Sequence, residues 1–126
     1  IYGAHDQKAR ADALRKRGAQ VQLMPQALTA ERRVDLGAVM EDLAHQEINE
    51  LHVEAGYTLS GALLEAGLVD ELVIYMAPKL LGPGKGMAAL QQKLCLSEAV
   101  SMRFTDVQLV DADVRLVARI NGRENF

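Results

Sequence analysis

The feature that most constrains the fold of this chain is a regular alternation of segments with strand-like and helix-like patterns. Strands are predicted over residues 1–3, 19–23, 51–55 and 72–77, with helices over residues 7–17, after Asp35 and over residues 59–66. This order predicts an α/β fold, because parallel strands need a crossover connection. Residues 104–110 and 114–120 then predict an antiparallel hairpin. The predicted architecture is three layers, αβα, with a mixed, mostly parallel sheet that ends in this hairpin.

Residues with known preferences for helix ends mark the first two helices. Asp6 is predicted to cap the first helix, and Gly18 is predicted to end it. Asp35 is predicted to cap the second helix, and a loop is predicted over residues 26–34. The second helix carries one apolar stripe, formed by Leu36, Val39, Met40, Leu43 and Ala44. In the strand over residues 72–77 both faces are apolar, which is typical of a sheet interior covered on both sides.

Length, charge and cysteine content exclude several function classes. A chain of 126 residues is expected to form a single domain. The net charge of −3, with basic residues spread along the chain, argues against a nucleic-acid partner. Cys95 is the only cysteine, which excludes an internal disulfide; its leucine neighbours predict a small buried side chain. No apolar run approaches the roughly 20 residues that span a bilayer. A cytoplasmic protein without a membrane partner is therefore expected.

A glycine lies where the third predicted strand turns into the third predicted helix. Gly56 follows Ala55 at a strand end, which is where open α/β sheets bind their ligands. The free N–H groups of the next helix attract phosphate, and a glycine permits close approach. Thr58 or Ser60 is available as a hydroxyl donor, and Gly61 keeps side-chain bulk away. A glycine needed only for a tight turn explains the local residues equally well.

An acid precedes this turn, within a segment whose other residues have the pattern of a buried strand. Glu54 must find partners there or be driven toward protonation. Facing a cleft, its carboxylate is suited to accept hydrogen bonds from the donor edge of a ligand such as an aminopyrimidine. A salt-bridged acid on an exposed sheet edge is the alternative, and the local pattern slightly favours it.

Two familiar chemical motifs are incomplete, and the other histidines form no metal-binding pattern. The glycine cluster over residues 80–86 lacks the Ser or Thr that follows the lysine of a phosphate loop, so a mobile surface loop is predicted. His45 and Glu47 match one half of a zinc deaminase motif, but the required cysteine pair is absent. His5 and His52 have no partners at ligand spacing. No metal site is expected.

Residues 53–82, VEAGYTLSGALLEAGLVDELVIYMAPKLLG, resemble the C-terminal reductase domain of the bifunctional riboflavin-biosynthesis deaminase/reductase. The resemblance implies a dihydrofolate-reductase-like fold and NADPH-dependent reduction of the ribose of 5-amino-6-(5-phosphoribosylamino)uracil to the ribityl product. It implies that Glu54 contacts this small-molecule substrate. It also implies that one segment wraps the NADPH phosphates: Gly56, Tyr57, Thr58, Leu59, Ser60, Gly61 and Ala62. The catalytic proton donor is not assigned.

The chain departs from this family at its beginning. The upstream strands of the reductase domain and the whole deaminase domain are missing, and the first residue is Ile1 rather than Met, so a fragment is expected. A sheet cut in this way exposes an unpaired edge, which predicts a homodimer. Two alternatives stay open. One is another NADPH-dependent reductase of the same fold, acting on a pterin-like or pyrimidine-like substrate. The other is a non-catalytic α/β domain for nucleotide binding or dimerisation.

Overall fold

The computed structural model of the chain describes residues 1–24, 33–91 and 95–123. The chain divides into two units, Ile1–Val53 and Glu54–Phe126. The elements of the first unit are β1 (Tyr2–Gly3), α1 (Lys8–Arg15), β2 (Gln22–Leu23) and α2 (Leu36–His45). Those of the second unit are α3 (Tyr57–Glu65), β3 (Glu71–Met76), a 3₁₀ turn (Leu96–Glu98), β4 (Met102–Val110) and β5 (Asp113–Ile120). Most of the predicted loop over residues 26–34 lies outside the described residues.

The ends of α1 follow the predicted pattern only in part. The predicted cap at Asp6 is wrong, because the helix begins one residue later, at a capping position held by Gln7 that makes no side-chain cap hydrogen bond. The carbonyl oxygen of Gln7 instead accepts from the backbone N–H groups of the first turn. The prediction for Gly18 is confirmed. Its φ of 85° is left-handed, a conformation that favours glycine and turns the chain away from the helix.

Two short parallel strands and α2 make up the rest of the first unit. In the parallel pairing of β1 and β2, Tyr2 lies opposite Gln22. The predicted cap of α2 is confirmed, since Asp35 Oδ1 accepts from the N–H of Ala38 at 3.1 Å. The apolar stripe of α2 supplies Val39 to the buried core, together with Met24 at the end of β2.

The second unit is built on a three-stranded antiparallel sheet with β5 at its centre, in the order β3, β5, β4. The predicted hairpin is confirmed: Val110 lies opposite Asp113 across a turn in which Asp111 has a φ of 53°. The register between strands brings apolar side chains to one side of the sheet. We call this side the apolar sheet face; it contains Leu72, Ile74, Met76, Met102, Phe104, Val107, Leu109, Val114, Leu116 and Ala118.

The parallel part of the sheet is smaller than predicted. No strand forms over residues 51–55. A strand exists only where a neighbour accepts and donates its backbone hydrogen bonds, and these five residues are exposed instead. The strand β3 is confirmed at residues 71–76, but among the described residues it pairs only with β5, antiparallel, so it is an edge strand of this sheet rather than an interior one. Val73 and Tyr75 on β3 are correspondingly exposed.

The α/β class agrees with the prediction, as do the parallel pairing near the start and the antiparallel hairpin at the end. The expected single domain stays a prediction, since the chain separates into two units by its contacts. Among the described residues, no helix has both the length and the apolar character needed to cross a membrane.

Candidate functional site

The helix α3 begins directly at the glycine of the predicted phosphate turn. Gly56 is its capping residue, with a φ of −86° and a ψ of 176°, and the carbonyl oxygen of Gly56 accepts from the N–H of Ser60 at 3.1 Å. The helix thus starts two residues earlier than predicted, and Tyr57, Thr58 and Leu59 form its first turn. The N–H groups of a first helical turn have no acceptor within the helix. Glycine offers no capping side chain, so these groups are available to a ligand.

An open cleft of about 490 Å³ lies against this first turn. It is lined by Gly56, Tyr57, Thr58, Leu59 and Lys85. A Cβ atom placed on Gly56 would meet no atom within 4 Å, so the space in front of this glycine is open. The cleft combines backbone donors, the positive end of a helix dipole and a lysine side chain. Together these groups are suited to bind a phosphate or pyrophosphate group.

The other three residues of the predicted cofactor segment do not line this cleft. Ser60 Oγ donates to the carbonyl oxygen of Ala55 at 3.4 Å. Gly61 is buried against the backbone of Ala89, and a Cβ atom on Gly61 would lie 2.5 Å from the nitrogen and 2.6 Å from the carbonyl carbon of Ala89. Ala62 is half-buried. The structure therefore supplies a packing reason for the glycine at position 61.

Glu54 lies two residues before Gly56, in the exposed segment that leads into α3. It is not among the residues that line the cleft. Its assignment to the substrate stays a prediction.

Lys85 is the residue of the cleft that the sequence does not identify. It lies in the glycine cluster, which predicted only a surface loop. A lysine between two glycines is a weak signal of a binding site, because the sequence does not show which part of the protein the loop contacts. Here the chain that follows Lys85 contacts α3: the N–H of Ala89 donates to the carbonyl oxygen of Tyr57 at 2.9 Å.

A second cleft in this unit has a different character. It has a volume of about 360 Å³ and is bordered mainly by apolar side chains, among them Leu64, Leu72, Leu90 and Met102. None of the side chains that line it is ionisable. It is therefore less suited to a phosphorylated ligand than the cleft at Gly56.

Titratable groups add no further site within the described parts of the chain. No cluster of His, Cys, Asp and Glu with the geometry of a metal site occurs there. Cys95 is exposed, with its sulfur 3.1 Å from Ser97 Oγ, so the predicted burial of this cysteine is wrong. The reason is that the adjacent 3₁₀ turn buries none of its residues.

A family model and several known proteins match most of this chain. A model of the RibD C-terminal domain family matches residues 4–116. The riboflavin biosynthesis protein RibD of Escherichia coli (strain K12) is 48% identical over 84 residues, which cover 66% of this chain and 23% of that protein. The 5-amino-6-(5-phosphoribosylamino)uracil reductase of Buchnera aphidicola subsp. Acyrthosiphon pisum is 38% identical over 87 residues, covering 68% of this chain and 42% of the relative.

A solved structure supports the fold. Acinetobacter baumannii RibD superimposes with a TM-score of 0.61 at 29% sequence identity, covering 80% of this chain and 31% of that one. The chain spans less than half the length of the curated relatives: its match covers 23% of the Escherichia coli protein and 42% of the Buchnera protein.

Proposed function

Since this chain belongs to the RibD C-terminal domain family, we propose that it binds NADPH and takes part in reducing 5-amino-6-(5-phosphoribosylamino)uracil to 5-amino-6-(5-phosphoribitylamino)uracil. The similarity to the Buchnera reductase, which is named for this substrate, supports the proposal. The fragment expected from the sequence is supported by the small share of each relative that the chain covers.

The observation that carries the cofactor proposal is the open cleft at the start of α3. The backbone N–H groups of Tyr57, Thr58 and Leu59 would hold phosphate oxygens, and Lys85 would supply a positive charge beside them. The bare Cα of Gly56 leaves space for a close approach. The residues present therefore fit a dinucleotide phosphate.

The reaction divides between the cofactor and the protein. NADPH supplies the hydride when it is bound, and the protein binds and orients both molecules. The start of α3 would hold the phosphates of the cofactor, and Glu54, two residues before Gly56, would accept hydrogen bonds from the substrate. Such positioning lowers the entropic part of the barrier. No residue of this chain is assigned as the proton donor.

The proposal is tested by calorimetric titration of this chain with NADPH and, in parallel, with NADH. Saturable binding with a preference for NADPH is expected. Failure to bind either dinucleotide would contradict the proposed cofactor site in this chain. Binding of both with equal affinity would contradict the NADPH preference only.

We also propose that the chain forms a homodimer through the three-stranded sheet. The apolar sheet face leaves Phe104, Val107 and Leu109 exposed at 62%, 59% and 74%. These three residues lie on β4, which is an edge strand of the sheet that the described residues form. A contiguous apolar patch of this kind is unfavourable in water. Contact between two copies of the same face is self-complementary, which is what a twofold axis requires.

A further inference from the structure

The segment that follows Lys85 is fastened to both ends of α3. We call residues 86–91 the strap. The N–H of Ala89 donates to the carbonyl oxygen of Tyr57, the first residue of the helix, at 2.9 Å. The N–H of Gln91 donates to Oε1 of Glu65, the last residue of the helix, at 2.8 Å. Two hydrogen bonds thus hold the strap against one helix.

Gly61 allows this contact at the middle of α3. The backbone of Ala89 occupies the space in which any other residue at position 61 would place its Cβ atom. Real Cβ atoms do not come as close as 2.5 Å to a backbone nitrogen, so a larger residue would push the strap away. The glycine and the two hydrogen bonds therefore determine where the strap lies.

The position of the strap determines the position of Lys85. Lys85 directly precedes the strap and lines the cleft at the first turn of α3. On its other side the chain makes little contact with the protein, since Leu80 and Leu81 are exposed at 103% and 93%. The loop that carries Lys85 is therefore attached to the protein mainly through the strap, which is bonded to α3.

We infer that Glu65 and Gly61 are positioning residues for the phosphate site: they hold the strap on α3 and thereby keep Lys85 beside the first-turn N–H groups. This inference rests on the proposed function, because Lys85 matters only if a phosphate binds there. Neither residue touches the ligand. Glu65 lies at the far end of the helix, eight residues from Tyr57, and each residue advances the helix by about 1.5 Å.

The test is NADPH affinity in the variants Glu65→Ala and Glu65→Gln, each made with and without Lys85→Gln. Glu65→Ala removes the acceptor for the N–H of Gln91 and is expected to weaken binding about threefold to fivefold, no more than the loss of the Lys85 charge itself. Removing the negative charge of Glu65 would by itself strengthen the binding of an anion. Weaker binding in Glu65→Ala would therefore indicate that Lys85 is no longer held in place. Glu65→Gln keeps a side-chain oxygen that can accept the bond and is expected to restore affinity close to that of the unmodified chain.

The double variant separates positioning from a general loss of stability. If Glu65 acts through Lys85, Glu65→Ala has no further effect once Lys85→Gln is present. Equal weakening with and without the lysine would overturn the inference, as would an unchanged affinity in Glu65→Ala.

A measurement without ligand distinguishes failure of the inference from failure of the proposed function. Amide hydrogen exchange of Gln91, followed by NMR, is expected to become about tenfold faster in Glu65→Ala and to stay unchanged in Glu65→Gln. Unchanged exchange in Glu65→Ala overturns the inference, whatever the chain binds. If the unmodified chain binds no NADPH, the proposed function is contradicted and the inference falls with it. Normal NADPH binding with no response to Glu65→Ala overturns the inference alone.

Discussion

The phenol of Tyr2 donates a hydrogen bond of 2.8 Å to Oδ2 of Asp42 and so joins β1 to α2 across 40 positions of sequence. Gln22 donates to Oδ1 of the same carboxylate at 2.6 Å, and Gln46 donates to Oδ2 at 2.6 Å. The bond from Tyr2 is the main reason that the pKa of Asp42 is lowered, and the two amides act in the same direction. The same bond raises the pKa of Tyr2. This network links the two strands of the first unit to its second helix.

These pKa shifts predict a loss of stability at both ends of the pH range. The carboxyl of Asp42 has a folded pKa below its ordinary value of 3.8, so its contribution is present above that value and is lost as the pH falls through the folded pKa. The pKa of Tyr2 is raised above 10.0, so its contribution is present below 10.0 and is lost as the pH rises through the folded pKa. Urea unfolding at a series of pH values measures both effects.

The variant Asp42→Asn tests the acidic half of this prediction. It keeps one acceptor oxygen but cannot titrate. The free energy of unfolding of the unmodified chain is expected to fall more steeply below pH 4 than that of Asp42→Asn. If the free energy of unfolding depends on pH in the same way in both proteins, the charge of Asp42 does not contribute to stability through this network.

Gly61→Ala is expected to destabilise the second unit, because the new Cβ overlaps the backbone of Ala89. Overpacking of this kind costs about 1–3 kcal/mol. Gly84→Ala is the matched control, since a Cβ atom at that glycine meets nothing within 4 Å. Thermal unfolding followed by circular dichroism compares the two. Equal melting temperatures would mean that the strap does not lie against α3 as described.

Lys85→Gln is expected to weaken NADPH binding about fivefold, the upper range for an exposed charge pair. Its effect should diminish as salt is added, since screening reduces the contribution of an exposed charge. Lys79→Gln, an exposed lysine outside the cleft, serves as the control and is expected to bind as the unmodified chain does. If both variants lose affinity equally, the specific placement of Lys85 in the cleft is wrong.

Two adjacent residues of β4 test the proposed dimer. Val107 lies on the apolar sheet face opposite Leu116, and Gln108 lies on the other face opposite Arg115. Val107→Lys puts a charge into the proposed interface and is expected to yield a monomer in sedimentation velocity, whereas Gln108→Lys is expected to remain a dimer. A monomeric unmodified chain, or a dimeric Val107→Lys, would contradict association through this face.

The features that the sequence predicts correctly depend on signals within one segment. The start of α2 follows from an aspartate one residue before an apolar stripe, and that carboxylate does cap the helix. The terminal hairpin follows from two apolar runs around a very short turn. The turn at Gly56 before the third helix is likewise recognisable, although that helix begins two residues earlier than predicted.

The features that the sequence misses depend on contacts between distant segments. Residues 51–55 have the composition of a strand, but none of the described residues pairs with them as a neighbouring strand, so the pattern alone misleads. Lys85 lines the cleft, and the residues that follow it, Ala89 and Gln91, bond to a helix more than twenty residues earlier. No local pattern around Lys85 contains that information. The need for glycine at position 61 is equally invisible in the local sequence, because it comes from contact with the backbone of Ala89.

The measurement that tests the central claim most directly is a calorimetric titration of NADPH into the unmodified chain and into Gly56→Val. Valine can adopt the φ of −86° and ψ of 176° found at position 56, and its Cβ meets no protein atom within 4 Å. The melting temperature is therefore expected to change little, while the side chain obstructs the cleft. We expect affinity for NADPH to fall roughly tenfold or more, which corresponds to about 1.4 kcal/mol or more. An unchanged affinity in Gly56→Val would contradict the assignment of the start of α3 as the phosphate site.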